Sequence, residues 1–491
     1  MTMQDLAYSS ALDLATAIRE RKVSAREVLA LYLERIGRFD PQVNAIVATL
    51  AEQAQERAAA ADEALADGEI WGPLHGVPMT VKEAFDLVGT PTTWGRVEWR
   101  DNRPQRNAVA VHRLMNAGAV IFGKTNVPTG LVDWQTFNEI YGTTNNPWDL
   151  GRGPGGSSGG SAAALAAGLT GLELGSDIGA SIRNPAHYCG VYGHKPTWEV
   201  IPTIGQRPPG RSAPADIAVV GPMGRSAEDL ALAMGVLAGP APHDAVAWSL
   251  ELPKPRWERL RDFRVGVLYD HACCAVDRTI TDRIAEVVAV LKRLGARVQE
   301  GAVPDCDLAL SHDRYVQLFR AVTHAGGPQA VYDAAQAEVP KLAPDDTSYR
   351  AKVLRATVQD YRQWAEAVED RARIQRAWED WFKEFDVLIC PAAATPAFRH
   401  DQGAARELRT IAVNDRTEDY NDQLFWAGLA GVAYLPATVA PIGLAAGPSD
   451  FAGLPVGLQI IGPRLEDYTP IAFARLLAEE IGGFAPPPGY E

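Results

Sequence analysis

The chain has 491 residues, a formal net charge of −14 and a pI near 5.2. Its Lys and Arg residues are scattered and form no block, so nucleic-acid binding through a basic surface is not expected. No run of about 18 apolar residues is present, and the start, Met1 to Leu14, lacks the basic-then-apolar order of a signal peptide, so neither a membrane span nor a secretory leader is predicted.

The five cysteines, Cys189, Cys273, Cys274, Cys306 and Cys390, show no C-x-x-C spacing. That set fits a reducing cytoplasm and argues against a zinc site. Cys273 and Cys274 beside His271 read as neighbours at the end of a strand, not as ligands.

Taken in order, Ser24-Ala-Arg-Glu27 is a capping box that opens a helix running toward Asp40-Pro41. A second helix is predicted at about 49–67, and both are expected on the outside of the body. Gly76-Val-Pro-Met-Thr-Val-Lys82 is extended, with its lysine at the end. Residues 107–117 have helical spacing, and a strand follows from Ala119. Ala162 to Ala167 reads as a helix and Leu172 onward as a strand. Ser226-x-x-Asp229 opens a helix ending near Gly239, and the Pro-rich stretch 240–260 is an irregular connection. A strand from Arg264, a helix and a strand from Gly295 make a βαβ unit. Residues 313–336 and 350–384 read as long helices. Later strands are predicted at Asp386–Cys390, Leu435–Ala440 and Gly457–Gly462. Helices alternating with short apolar strands predict an α/β fold, with a mixed, mostly parallel sheet covered on both faces.

Three glycine-rich patterns compete for the chemistry. Gly118 to Thr125 matches G-x-x-x-x-G-K-[ST], but its variable positions Ala, Val, Ile and Phe favour a strand over a phosphate loop. Gly155 to Gly159 matches G-x-S-x-G, but a loop precedes it and no histidine partner is evident. The third reading joins Ser157, Ser181 and Lys82. A helix from Gly159 to Gly168 rises roughly 15 Å, and a strand back to Ser176 covers roughly 16 Å. Asp177 to Ser181 can therefore lie beside Ser157. The N–H groups around Gly179 and Ala180 are candidates for an oxyanion hole. A serine needs a base, and a lysine buried among apolar groups can be neutral enough to serve. The same residues also admit blander readings: GGSSGG as a flexible linker, Ser161 as a helix cap, Lys82 as a solvated charge.

These segments resemble the amidase signature family over nearly the whole chain. The resemblance rests on Gly76 to Lys82, Gly123-Lys-Thr-Asn126, Asn146-Pro-Trp-Asp149, Pro154 to Ser161, Asp177 to Arg183, Cys189 to Pro196, Phe385 to Pro391 and Gly453 to Pro463. It implies one large α/β unit (helices 1–70 packed on a body at 71–491). It implies hydrolysis of a C–N bond by a Ser–cis-Ser–Lys triad: Ser181 as nucleophile, Ser157 as bridging serine, Lys82 as base, with a cis peptide between Gly156 and Ser157. It also implies an oxyanion hole of Ile178, Gly179, Ala180 and Ser181 N–H groups and a substrate loop at Leu131. Ser158, Asp177 and Arg183 are implied as support. No metal or other cofactor is implied, and a homodimer is expected by analogy only.

Four positions depart from the family pattern: Ala180, Glu83, His194 and Thr129. The Ala180 methyl is expected to narrow the loop or to demand a negative φ. Among the aromatics, Trp134 is the favoured pocket wall, which suggests a hydrophobic or aryl amide, an anilide or a carbamate as substrate. A second implied class is the amidase subunit of a tRNA-dependent amidotransferase, which frees ammonia from glutamine. A third is a non-catalytic binding protein, which intact Lys82, Ser157 and Ser181 oppose.

Overall fold

Eleven strands form one central sheet in the computed structural model, which describes residues 3–325 and 327–491. In chain order they are β1 (Ile46–Thr49), β2 (Pro78–Lys82), β3 (Val120–Thr125), β4 (Glu173–Asp177), β5 (Tyr192–Lys195), β6 (Val219–Gly224), β7 (Arg264–Val267), β8 (Arg297–Glu300), β9 (Val387–Pro391), β10 (Ala437–Leu444) and β11 (Pro455–Ile461). Their spatial order is β1-β3-β2-β4-β6-β5-β10-β11-β9-β7-β8.

The sheet is mixed, as expected, but not mostly parallel. Only β3·β2, β2·β4, β9·β7 and β7·β8 pair in parallel; the remaining neighbours are antiparallel. The parallel pairs are those that a helical crossover can serve. The helix Arg278–Leu294 joins β7 to β8 and completes the predicted βαβ unit. The turn between β10 and β11 is too short for a crossover, so those strands run antiparallel.

The N-terminal part contributes more than outer helices. Helix Ala25–Val43 carries the predicted capping box and keeps Pro41 in its last turn. Asn44 then adopts φ 55°, and the Asp40 carboxylate accepts the N–H of Ala45 at 2.7 Å. This stop starts β1, an edge strand of the central sheet. At four residues β1 is too short to show a period. Of the expected segment 1–70, Met1 and Thr2 lie outside the described residues.

The two long helices are four: Leu308–His324, Gln329–Glu338, Tyr349–Thr357 and Tyr361–Glu384. Pro328 separates the first pair, its ring fitting only a helix start. Asp360 opens a new capping box with Gln363 and separates the second pair. The stretch 240–260 is irregular, as predicted.

Candidate active site

Lys82 is the last residue of β2, and its side chain is fully buried. Thr80 of β2 lies opposite Glu173 of β4, so Lys82 comes level with the end of β4. There its Nζ donates to Ser157 Oγ at 2.7 Å, to Ser158 Oγ at 3.0 Å and to Ser176 Oγ at 2.9 Å. Three neutral hydroxyls surround the amine. Burial penalises its charged form and pulls its pKa from 10.5 to about 7, with the Asp177 carboxylate opposing that fall.

The return geometry is as the sequence predicts. Helix Gly159–Ala166 rises away from the serine loop, β4 comes back, and the Ser158 N–H donates to the Ser181 carbonyl at 3.0 Å. The Gly156–Ser157 peptide is cis. Ser157, Ser158 and Ser181 are all buried, with Ser181 6% exposed. The loop runs in close quarters. A Cβ on Gly160 would sit 2.6 Å from the Asn126 carbonyl oxygen, so only glycine fits there.

The segment after β4 is held by its own carboxylate. Asp177 accepts the N–H groups of Ala180 at 3.0 Å and Ile182 at 3.1 Å. It also takes Arg183 as a fork, Oδ2 to Nε at 3.0 Å and Oδ1 to Nη2 at 2.9 Å. Burial would raise the Asp177 carboxyl, but the Arg183 guanidinium outweighs it and holds it below its ordinary value. Arg183 also donates to the Ala427 carbonyl at 3.1 Å and to Gln459 Oε1 at 2.7 Å.

This pattern corrects the expected oxyanion set at one position. The Ala180 N–H is occupied by Asp177, whereas those of Ile178, Gly179 and Ser181 have no acceptor among the described residues. Ala180 also does not adopt a negative φ. It sits at φ 68°, the left-handed region that Asp177 enforces by holding its amide. Replacing it by glycine removes a left-handed cost of roughly 1 kcal/mol but gives up about 0.8 kcal/mol of methyl burial. Thermal unfolding of Ala180→Gly is therefore expected to match wild type closely. Ala180→Val puts a β-branched side chain at the same φ and is expected to lose about 1–3 kcal/mol. A valine variant as stable as wild type would show that this φ is not fixed.

The expected substrate wall is partly a brace. Leu131 is half-buried at φ 61°, two residues before Asp133, whose carbonyl oxygen a Cβ on Gly156 would strike. Trp134 is buried, and its indole N–H donates to the Gly179 carbonyl at 2.8 Å. Trp148 instead ties to the Cys189 carbonyl at 3.0 Å. Phe425 stacks on His271 at 4.4 Å between centroids.

Several residues near the serines carry no signal in the sequence. Tyr315 donates to the Ile178 carbonyl at 2.7 Å, and a Cβ on Gly179 would lie 3.4 Å from Phe319 Cζ. Both come from helix Leu308–His324, far along the chain. Ser176, whose Oγ accepts from Lys82, is the exception: it stands next to Asp177 in the sequence, which is the one signal that could have found it.

Of the other departures, Thr129 is exposed at the start of the turn Thr129–Leu131, and Glu83 and His194 have structural partners. Glu83 accepts the N–H groups of Thr93 at 2.6 Å and Trp94 at 2.9 Å. His194 bridges Thr438 Oγ1 at 2.9 Å and Asp467 Oδ1 at 3.2 Å. Lys124, from the phosphate-loop look-alike, lies near the end of a strand and donates to the Pro91 carbonyl at 2.6 Å.

A buried lysine of lowered pKa, three serine hydroxyls within 3.0 Å of its amine and backbone N–H groups without acceptors among the described residues thus come together at one end of the strands of a large α/β scaffold. The Amidase family model matches residues 27–470, and the chain belongs to that family. The A subunit of glutamyl-tRNA(Gln) amidotransferase from Gloeobacter violaceus is 33% identical over 92% of this chain and 93% of its own length. Its counterpart from Acidothermus cellulolyticus is 35% identical over 95% and 93%. Among solved structures, one from a vestigial protein complex that bears on the evolutionary origins of an s-triazine catabolic enzyme superposes with TM-score 0.79 at 28% identity, over 96% of this chain and 98% of that one. A bacterial aryl acylamidase superposes with TM-score 0.77 at 25% identity, over 96% of each chain.

Proposed function

We propose that this amidase-family enzyme hydrolyses a carboxamide through an acyl-enzyme on Ser181, with Ser157 and Lys82 as the proton relay. The observation that carries this reading is the buried Lys82 amine, 2.7 Å from Ser157 Oγ, in a loop hydrogen-bonded to Ser181. Neutral Lys82 takes a proton from Ser157 as Ser157 takes one from Ser181. Ser181 Oγ then attacks the amide carbonyl. The oxyanion is received by the N–H groups of Ile178, Gly179 and Ser181, which are already oriented and cost no reorganisation. The proton returns through Ser157 to the leaving nitrogen, the C–N bond breaks, and water repeats the sequence to free the acid.

For the substrate, the relatives support glutamine best, with this chain as the ammonia-releasing component of an amidotransferase. A lone hydrolase of hydrophobic or aryl amides is the second reading, favoured by the likeness to the aryl acylamidase. Ammonia release from glutamine, together with a co-purifying partner, supports the first reading; anilide hydrolysis by the isolated chain supports the second. The shared mechanism is tested by a fluorophosphonate probe. The adduct is expected on the peptide bearing Ser181 and is expected to vanish in Ser181→Ala. Labelling at Ser157, or none, would overturn the assignment.

A further inference from the structure

Two arginines lie over the aromatic rings that touch Gly179, each with a guanidinium nitrogen unused. Arg320 follows Phe319, the residue whose ring approaches Gly179. It is 5% exposed. Among the described residues its only hydrogen bond is to the Tyr349 hydroxyl, and its buried Nε has no partner. Its guanidinium carbon lies over two rings, 4.7 Å from the centroid of Phe319 and 5.2 Å from that of Tyr349. Arg406 comes from a distant segment. It lies over Trp134, 4.5 Å from the ring centroid, and Trp134 donates to the carbonyl of the same Gly179. Arg406 donates to Asn421 and to the Val132 carbonyl, but its buried Nη2 has no partner among the described residues either.

Other buried arginines in this chain are not left this way. Arg35 donates to the carbonyls of Ala167, Gly168 and Tyr490, and Arg225 to those of Ser9, Leu165 and Thr170, and neither has a buried nitrogen without a partner. Arg183 has Asp177. A buried guanidinium N–H without an acceptor costs free energy, so the fold keeps such a group where something else supplies the acceptor. The two groups also repel. Burial first, and then the Arg406 charge, lower the Arg320 pKa to about 9, and the opposing Glu407 is exposed. An anion placed between them satisfies the orphan donors and removes the repulsion together. Two planar forks, each resting on aromatic rings, suit a carboxylate.

We propose that Arg320 and Arg406 bind a carboxylate carried by the amide substrate, so that the enzyme acts on amido acids in preference to neutral amides. This rests on the hydrolase reading above and names the substrate class for that site. It moves the expectation away from the hydrophobic or aryl amide that the tryptophans suggest.

The test uses glutaramate and its methyl ester, followed by ammonia release, with glutarate as a non-reacting probe. Wild type is expected to favour glutaramate over the ester in kcat/KM by roughly ten- to a hundred-fold, as expected for a charged hydrogen-bond pair. Arg320→Met and Arg406→Gln are each expected to collapse that ratio, with the loss in KM, and Arg320→Lys to recover part of it. Glutarate is expected to inhibit competitively and to raise the wild-type Tm but not that of the variants. Equal loss on both substrates would mark the arginines as structural only and overturn the proposal, as would non-competitive inhibition. If no amide is turned over, the hydrolase reading fails while the Tm shift still decides the anion site. Should Arg320→Met not fold, Arg406→Gln, on a half-buried residue, carries the test.

Discussion

Lys82→Met is expected to lower kcat/KM by about 10²- to 10⁴-fold, the range for loss of a positioned general base. The pH profile is the sharper readout. In the proposed reaction Lys82 acts as the neutral amine, and its pKa is pulled down to about 7 by burial. Wild-type kcat/KM is therefore expected to rise about tenfold per pH unit below pH 7 and to level off above it. The variant's residual rate is expected to lack that limb. Stability moves in a defined direction as well. The unfolded lysine binds its proton up to about pH 10.5, while the folded one releases it near 7. Between those values the unfolded chain holds more protons, so this group's contribution favours the fold increasingly as pH rises from 7 toward 10.5. Below 7 the fold must bury an ammonium, and Lys82→Met is expected to be more stable than wild type there. A methionine variant with wild-type turnover would remove Lys82 from the reaction.

Asp177→Ala is expected to be the costlier change for the fold. It strands the Arg183 guanidinium in a site with no exposure and frees the amides of Ala180 and Ile182. Breaking one side of such a pair costs about 3–5 kcal/mol, most of it from the uncompensated charge. Urea unfolding should show the midpoint falling accordingly. The double variant Asp177→Leu/Arg183→Met removes both charges and is expected to recover much of the loss. If Asp177→Ala unfolds at the wild-type midpoint, the pair is not what holds the segment after β4. Recovery of stability without recovery of activity would separate the two duties of Asp177: anchoring Arg183 and shaping the backbone beside Ser181.

Much of this architecture is legible in the sequence, for reasons that are local. The capping boxes at Ser24 and Ser226 mark their helices because a cap is a short-range hydrogen-bond pattern. The return of Ser181 to the serine loop, where its carbonyl meets the Ser158 N–H, follows from rise per residue. What stays hidden depends on long-range pairing. Whether β4 meets β6 in parallel or antiparallel is not written in either strand. β1 is invisible because four residues carry no period. The occupied amide of Ala180 depends on which oxygen of Asp177 faces it. Phe319, Arg320 and Arg406 lie more than a hundred residues from the serine loop, in segments with no motif, and only the folded chain brings Phe319 to Gly179 and the arginines over Phe319 and Trp134.

The close fit around Gly160 and the helix that follows it reaches beyond stability. Helix Gly159–Ala166 is entirely buried and consists of Gly, Ser, Ala and a single Leu. Bulk cannot be added at Gly160 without striking the Asn126 backbone. The serine loop is thus closed to added bulk by sterics, whereas the segments packed against Ile178 and Gly179 come from elsewhere in the chain and touch them through a few braces, Trp134 and Tyr315 among them. On the proposed mechanism, a lineage or a mutant library is expected to retune what the enzyme accepts through positions such as 131, 132, 319, 320 and 406 while Lys82, Ser157, Ser181 and the braces Trp134 and Tyr315 stay fixed. Diversity placed in the serine loop is expected to return mostly dead clones, and diversity placed at those outer positions to return altered preferences.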